Sequence, residues 1–379
     1  MRYYVIAGEA SGDLHGSYLL RQLKRTDPSP VFRFWGGDRM AAEADGLARH
    51  YRETSIMGFV GVITHLPKLL DNMRYCRRDI LDFAPDAVIL IDYPGFNLGI
   101  ARFVKTRTSI PVFYYIPPKI WAWKERRVEM IKKYVDRVFT IFPFEKDFYA
   151  GHGYYAVQYA GNPSVDSVTH AVPVDRQAFL REIGAEGKRV IALLPGSRKQ
   201  EIQLCLPVMK RLSPANYPGC VFVMAATGAV DASLYEGVPF TLLFDRTYDL
   251  LQVADAALVN SGTATLEAAL FEVPQVVCYQ LRMAKIAFPL IYNLLLKIPY
   301  VSLVNILARR EVVKELLGPY YTQENTEREL HRALDDSEWR SSMLEGYRQL
   351  KSDLGVQVAS ETVAAEVTRL LAASQNLNP

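Results

Sequence analysis

Cysteine is scarce in this chain and never clustered. Cys76, Cys205, Cys220 and Cys278 are the only four in 379 residues, and no two of them form a Cys-x-x-Cys pair. Neither a zinc site nor a disulfide framework is therefore expected, and a reducing cytoplasm suits the sequence. Long apolar runs are missing too. Residues 286–298 are broken by Pro289, Asn293 and Lys297 and fall short of the roughly 20 residues that a membrane span needs. The apolar run at residues 3–7 is shorter than the core of an export signal, and Glu9 follows it closely. An excess of charge of one sign is nearly absent, with a net +3, which gives no argument for nucleic acid as a partner. Gly8, Gly12 and Gly16 do not make a Gly-x-Gly-x-x-Gly fingerprint, so a dinucleotide is not implied. No repeat or low-complexity tract interrupts the chain.

What is present is an ordinary globular composition, 50% hydrophobic and 22% charged, long enough for two domains with separate cores. Short apolar runs alternate with helical patterns. Residues 3–7, 31–35, 87–91, 112–116 and 138–142 read as strands in the first half, with a helix expected over 38–46. Residues 190–194, 221–225, 240–244, 256–259 and 274–279 read as strands in the second half. This alternation predicts an α/β fold with parallel sheets. Gly161-Asn162-Pro163 and the polar run at 164–176 mark the passage between halves. The expected domains are residues 1–165 and 166–344, with helices from about 345 to 379 as candidates to pack back on the first.

Residues 254–270 carry the clearest chemical pattern. A short apolar strand runs into Asn260-Ser261-Gly262-Thr263, and residues 264–270 follow as helix formers. Such a turn aims backbone N–H groups and the positive end of a helix dipole at one spot, where a phosphate fits. Glu267 lies one turn beyond Thr263 on the same face, placed to accept hydrogen bonds from ribose hydroxyls. Phosphate plus ribose means a nucleotide. Pro195-Gly196-Ser197-Arg198 repeats the logic after another buried strand, since a guanidinium forks onto two phosphate oxygens. Helix capping by Ser261 or Thr263, and a surface arginine at a helix start, are the plain alternatives.

The first half offers carboxylates instead. Glu9 and Asp13 lie in a glycine-rich turn after the first strand. Asp92 follows five apolar residues directly and precedes Tyr93-Pro94-Gly95-Phe96-Asn97. Ligands bind at such strand ends in open α/β sheets, and partial burial raises a carboxyl pKa toward the range of a general base. Capping is the alternative for Asp13 in particular. Residues 117–127 mix Trp121 and Trp123 with lysines and arginines, suiting either a phosphate-bearing pocket or ordinary cation–aromatic packing. Residues 54–70 are unusually apolar and precede Arg74, Arg77 and Arg78. That suits a segment lying in a membrane interface, or an internal helix packed on the sheet.

Taken in order, Gly8-Glu9-Ala10-Ser11-Gly12-Asp13, Met57-Gly58-Phe59-Val60, residues 91–97, Trp121-Ala122-Trp123, residues 194–198, Ser261-Gly262-Thr263-Ala264-Thr265-Leu266-Glu267 and residues 300–305 resemble the lipid-A-disaccharide synthases. These are bacterial inverting glycosyltransferases of GT-B architecture, and the matching segments span nearly the whole chain. The resemblance implies two facing Rossmann-like domains with a cleft between them. It implies transfer of a sugar from UDP-2,3-diacylglucosamine to 2,3-diacylglucosamine 1-phosphate, giving a β-1,6-linked disaccharide 1-phosphate and UDP, with no metal and no cofactor. By position, Gly196, Ser197, Arg198, Ser261, Gly262, Thr263, Ala264 and Thr265 would hold the diphosphate and Glu267 the ribose. Ser11, Asp13, Asn97, Trp121 and Asn305 would touch substrate, with Asp92 as base and Glu9 in reserve. The acyl chains would meet Met57, Phe59, Val60, Val62, Ile63, Leu66, Leu69 and Leu70. The resemblance also implies a cytoplasmic protein on the inner face of a Gram-negative inner membrane, and a homodimer is possible. The family often has an acid where Gly95 stands and a serine where Pro117 stands, so Asp92 lacks a neighbouring acid and that loop lacks a hydroxyl. Two rivals stay open: a UDP-sugar 2-epimerase of the same architecture, and a non-catalytic nucleotide sensor recruited to membranes.

Overall fold

The computed structural model describes residues 1–54, 66–121, 125–280 and 299–376. The chain divides into two compact units, Met1–Pro163 with Val356–Pro379, and Ser164–Gly355. The second crossing therefore comes after the Ser337–Leu354 helix, which stays with the second unit.

The most apolar runs become the central strands of two parallel sheets. In the first unit these are β1 (Arg2–Ala7), β2 (Val31–Gly36), β3 (Leu47–His50), β4 (Ala87–Ile91), β5 (Val112–Tyr115), β6 (Arg137–Thr140) and β7 (Val157–Tyr159), in the order β3-β2-β1-β4-β5-β6-β7. Alternate side chains of β1 enter different layers. Tyr3, Val5 and Ala7 pack with Leu19, Leu20 and Leu23 of the Ala10–Thr26 helix and with Val363, Val367 and Leu371 of the Ala359–Asn376 helix. Tyr4 and Ile6 pack with Phe96, Ile100 and Val104 of the Pro94–Arg107 helix. Both faces are thus covered, as a parallel sheet requires. Each such aliphatic side chain contributes roughly 1.5–3 kcal/mol by leaving water. The C-terminal helix is also tied by polar contacts: Thr368 bonds Thr26 at 3.0 Å and Glu366 pairs with Arg137 at 2.7 Å.

The second unit repeats the plan with β8 (Arg189–Leu194), β9 (Cys220–Ala226), β10 (Thr241–Phe244), β11 (Ala256–Asn260), β12 (Gln275–Tyr279) and β13 (Lys314–Leu317), ordered β10-β9-β8-β11-β12-β13. Ile191 and Leu193 pack against Ile202, Leu206 and Met209, while Val190, Ala192 and Leu194 face Phe179, Leu250 and Ala268.

Three expected elements end early, the strand expected over 112–116 stopping at Tyr115. The helix expected over 38–46 stops at Glu43, and the strand expected over 138–142 stops at Thr140 because the N–H groups of Ile141 and Phe142 donate to the Glu145 carboxylate, both at 3.1 Å. In each unit the strand order reverses once, between β1 and β4 and between β8 and β11. A crevice at the carboxyl ends of such a pair is where open α/β sheets bind ligands.

Candidate active site

The β1–β4 register sets Ala7 beside Ile91, so Gly8-Glu9 and Asp92-Tyr93 leave the sheet next to each other. β4 ends in two consecutive left-handed residues, Asp92 with φ 45° and Tyr93 with φ 48°, each costing a non-glycine residue roughly 1–3 kcal/mol. Three hydrogen bonds hold the turn. Asn97 Nδ2 donates to the carbonyls of Ile91 at 3.2 Å and Asp92 at 2.7 Å, and the Tyr114 phenol donates to the Asp92 carbonyl at 2.8 Å. Pro94 then opens the following helix. The Tyr93 ring stacks on Phe96 at 5.5 Å and lies directly over Gly8, where an added Cβ would come within 2.3 Å of the ring.

Asp92 and Glu9 share a side-chain hydrogen bond. Burial above all, and then the charge and bond of Glu9, push the Asp92 carboxyl up to about 7, against the opposing pull of Lys119. Two carboxylates in one partly buried spot retain a proton that either would lose alone. Lys119 comes from the turn after β5, and its ammonium lies 5.7 Å from the Phe142 ring. A second carboxyl, Glu145, is buried nearby in sequence and accepts from Trp121 Nε1 at 2.9 Å. Burial drives it up to about 7 despite its three donors.

Other expected contacts are placed differently. The Asp13 carboxylate is buried and accepts N–H groups from Gly37 at 2.6 Å, Arg39 at 3.1 Å and Met40 at 3.1 Å. It caps the start of the Asp38–Glu43 helix, and both its oxygens are engaged by backbone. Ser11 is exposed in the first turn of its helix. Asn97 is fully buried and spends its amide nitrogen on the Asp92 turn. Trp121 packs edge-on against Phe144 at 5.0 Å while holding Glu145.

In the second unit, Leu194 pairs with Val259, which brings the Pro195–Arg198 and Ser261–Thr263 turns together. Gly196 has φ +113°, and a Cβ there would stand 2.8 Å from Asn260 Nδ2 and from Glu201. Only glycine passes between them. The backbone N–H groups of Ser197 and Arg198 both donate to Glu201 Oε2 at 3.2 Å, so these two amides are engaged within the turn. The Arg198 side chain is 68% exposed and sits 3.5 Å from Glu201. The Ser261 hydroxyl donates to the Val301 carbonyl at 3.0 Å, and the buried Thr265 hydroxyl donates to the Gly262 carbonyl at 2.8 Å. These two hydroxyls therefore shape the turn, while Gly262 and Thr263 stand exposed at the start of the Thr263–Leu270 helix with Ala264 half-buried behind them. Glu267 accepts from the Tyr248 phenol at 3.0 Å, and burial raises its pKa.

Asn305 is fully buried and saturated. Its Nδ2 donates to Val313 O and Glu315 Oε1, both at 2.9 Å, and its Oδ1 accepts from Val312 N at 2.8 Å and Val313 N at 3.0 Å. It anchors Glu315, which also accepts the N–H groups of Val301 and Ser302. Val301 in turn receives the Ser261 hydroxyl, so Asn305 supports the phosphate turn from behind.

Of the residues expected to meet acyl chains, Met57, Phe59, Val60, Val62 and Ile63 lie outside the described residues. Leu66 begins the Leu66–Phe83 helix, Leu69 packs against the core, and Leu70 is 47% exposed. Among the described residues no helix is long and apolar enough to cross a membrane, and none groups three or more His, Cys, Asp or Glu side chains to hold a metal ion.

Tyr114, Lys119, Glu145 and Glu315 carry roles that the sequence did not single out. For Tyr114 a signal existed, since a phenol in a buried strand must find an acceptor.

A family model described as lipid-A-disaccharide synthetase matches residues 3–367. The lipid-A-disaccharide synthase of Myxococcus xanthus is 39% identical over 98% of this chain and 97% of its own, and that of Geobacter sulfurreducens is 36% identical over the same shares. Among solved structures, a UDP-GlcNAc 2-epimerase from Neisseria meningitidis bound to UDP-GlcNAc superposes with a TM-score of 0.64 at 11% identity, covering 97% of this chain and 100% of that one. At that identity the likeness speaks for the GT-B fold alone. The chain belongs to the lipid-A-disaccharide synthase family, and with it to the glycosyltransferases of lipid A biosynthesis.

Proposed function

We propose that this enzyme joins UDP-2,3-diacylglucosamine to 2,3-diacylglucosamine 1-phosphate by a single inverting displacement. Asp92 removes the proton of the acceptor 6-hydroxyl as that oxygen bonds the donor's anomeric carbon. The bond from that carbon to the diphosphate breaks, and UDP leaves with the electron pair. The β-1,6-linked disaccharide 1-phosphate is the other product. The placing of Asp92 beside Glu9 at the carboxyl ends of β1 and β4 is the observation that carries this reading, and burial there raises the Asp92 carboxyl toward the range a base needs.

The charge on departing UDP is met by the Arg198 guanidinium and by the amide end of the Thr263–Leu270 helix, with Glu267 toward the ribose. We assign no metal and no cofactor to the reaction. Asp13, Trp121 and Asn305 are assigned supporting roles, because their polar groups are engaged within the fold. Attachment to the cytoplasmic face of the inner membrane rests on the apolar run at 56–70 and its basic neighbours; a homodimer rests on the family resemblance.

Purified protein incubated with both lipids, its products resolved by mass spectrometry, tests the reading. Formation of the disaccharide and UDP is expected. No disaccharide, with turnover of unacylated UDP-N-acetylglucosamine instead, would replace it with epimerisation.

A further inference from the structure

Two donors from different elements converge on one backbone oxygen. Tyr114, on the strand next to β4, and Asn97, on the helix after it, both bond the Asp92 carbonyl, at 2.8 and 2.7 Å. That carbonyl belongs to a residue with φ 45° followed by another with φ 48°. L-residues do not favour this conformation, and it persists only where the surroundings over-determine it. The direction of the Asp92-Tyr93 peptide fixes where the Asp92 side chain leaves the backbone, and so whether it meets Glu9.

We propose that Tyr114 is a positioning residue for sugar transfer: its hydroxyl pins the Asp92 carbonyl and thereby holds the Asp92 carboxyl against Glu9. The proposal rests on the reading of Asp92 as base.

Packing does not explain the hydroxyl. Tyr114 is fully buried in an apolar layer that includes Ile131, Val138 and Val128, and phenylalanine would fill that space without burying a phenol. Burial also holds the phenol ionisation far above its ordinary value, so Tyr114 stays a neutral donor throughout the working range. The charged or titratable groups around Tyr114 are Asp92, Tyr149 and Arg127, and those around Asp92 are Glu9 and Lys119.

Tyr114→Phe in the full chain tests this, with kcat, both KM values and the pH profile taken from disaccharide formation. We expect kcat to fall about tenfold, as misplacement of a reacting group does, with both KM values within about twofold of the parent's. The acid limb of the pH profile moves down as Asp92 loses contact with Glu9. Asn97→Ser gives the same split, and the double variant loses less than the product of the singles because both donors serve one acceptor. A Tyr114→Phe enzyme with parental kcat and an unmoved acid limb overturns the proposal, even if it melts earlier. If Tyr114→Phe does not fold, parental kcat and pH profile in Asn97→Ser overturn it equally. Asp92→Asn in the same assay separates the two readings. Full activity there removes the base itself, whereas an inactive Asp92→Asn beside a normal Tyr114→Phe removes only the role of Tyr114.

Discussion

Asp92 and Glu9 hang from neighbouring parallel strands and hydrogen-bond to each other at the point where the first sheet reverses its order. On the proposed reading of Asp92 as base, a proton held there should cost activity at low pH, since a carboxyl accepts a proton only when ionised. The turnover rate should therefore rise through about pH 7 and level off above it. Glu9→Gln removes the neighbouring negative charge and so lowers the Asp92 pKa toward its ordinary value. The acid limb should shift to lower pH by one unit or more, about 1.4 kcal/mol per unit. A limb that stays in place would separate the two carboxyls functionally.

The two units should divide the kinetic labour. Asp92→Asn removes a group that acts in the transition state, and kcat should drop by about 10²–10⁴-fold with little change in KM. Arg198→Ala removes an exposed guanidinium; if it meets the diphosphate in ground and transition states alike, as proposed, KM for the UDP donor should rise more than kcat falls. Steady-state kinetics with each substrate varied decides this. Equal effects of both variants on both parameters would refute the division.

Glu145 links pH to stability. Its folded pKa, about 7, lies above the ordinary 4.5, so its contribution is fully present below about pH 4.5 and is lost as pH rises through 7. The loss is on the order of 3 kcal/mol at most. Calorimetric melting of the parent should fall across that window, and Glu145→Gln should flatten the dependence while lowering the acid-side stability, because one amide oxygen and an NH2 group cannot accept all that the two carboxyl oxygens accept from Trp121, Ile141 and Phe142. A parent whose melting temperature is constant from pH 5 to 8 would contradict it.

How legible each element was follows from how it is buried. β1, β4, β8 and β11 are covered on both faces, so apart from Arg2, Arg189 and Asn260 at strand ends their residues are apolar and the runs stand out. The edge strands β3, β7 and β13 escaped because Leu47-Ala48-Arg49-His50, Val157-Gln158-Tyr159 and Lys314-Glu315-Leu316-Leu317 are short and partly solvated. The meeting of Glu9 and Asp92 was legible since each acid follows directly on such a run or its glycine. The backbone bonds of Asp13 and Asn305 were not, because a side chain that caps a backbone and one that binds a sugar are the same residue type. Tyr114 and Tyr115 are neighbours of identical chemistry, and only the strand's alternation puts the first on the layer that reaches Asp92.

Asn305 gives the sharpest test of that ambiguity. Replacing it by alanine strands the N–H groups of Val312 and Val313 and the Val313 carbonyl in a buried site, at about 1–3 kcal/mol for each unsatisfied group. It also frees Glu315, whose grip on Val301 and Ser302 sets the carbonyl that receives the Ser261 hydroxyl. Asn305→Ala should therefore melt several degrees lower and bind UDP more weakly by calorimetry, while the fraction that remains folded and saturated with donor turns over at near-parental kcat. If Asn305 touched substrate directly, the order would reverse: parental melting, parental UDP affinity and a collapsed kcat. Measuring all three on one preparation distinguishes a residue that builds the phosphate turn from one that faces the sugar.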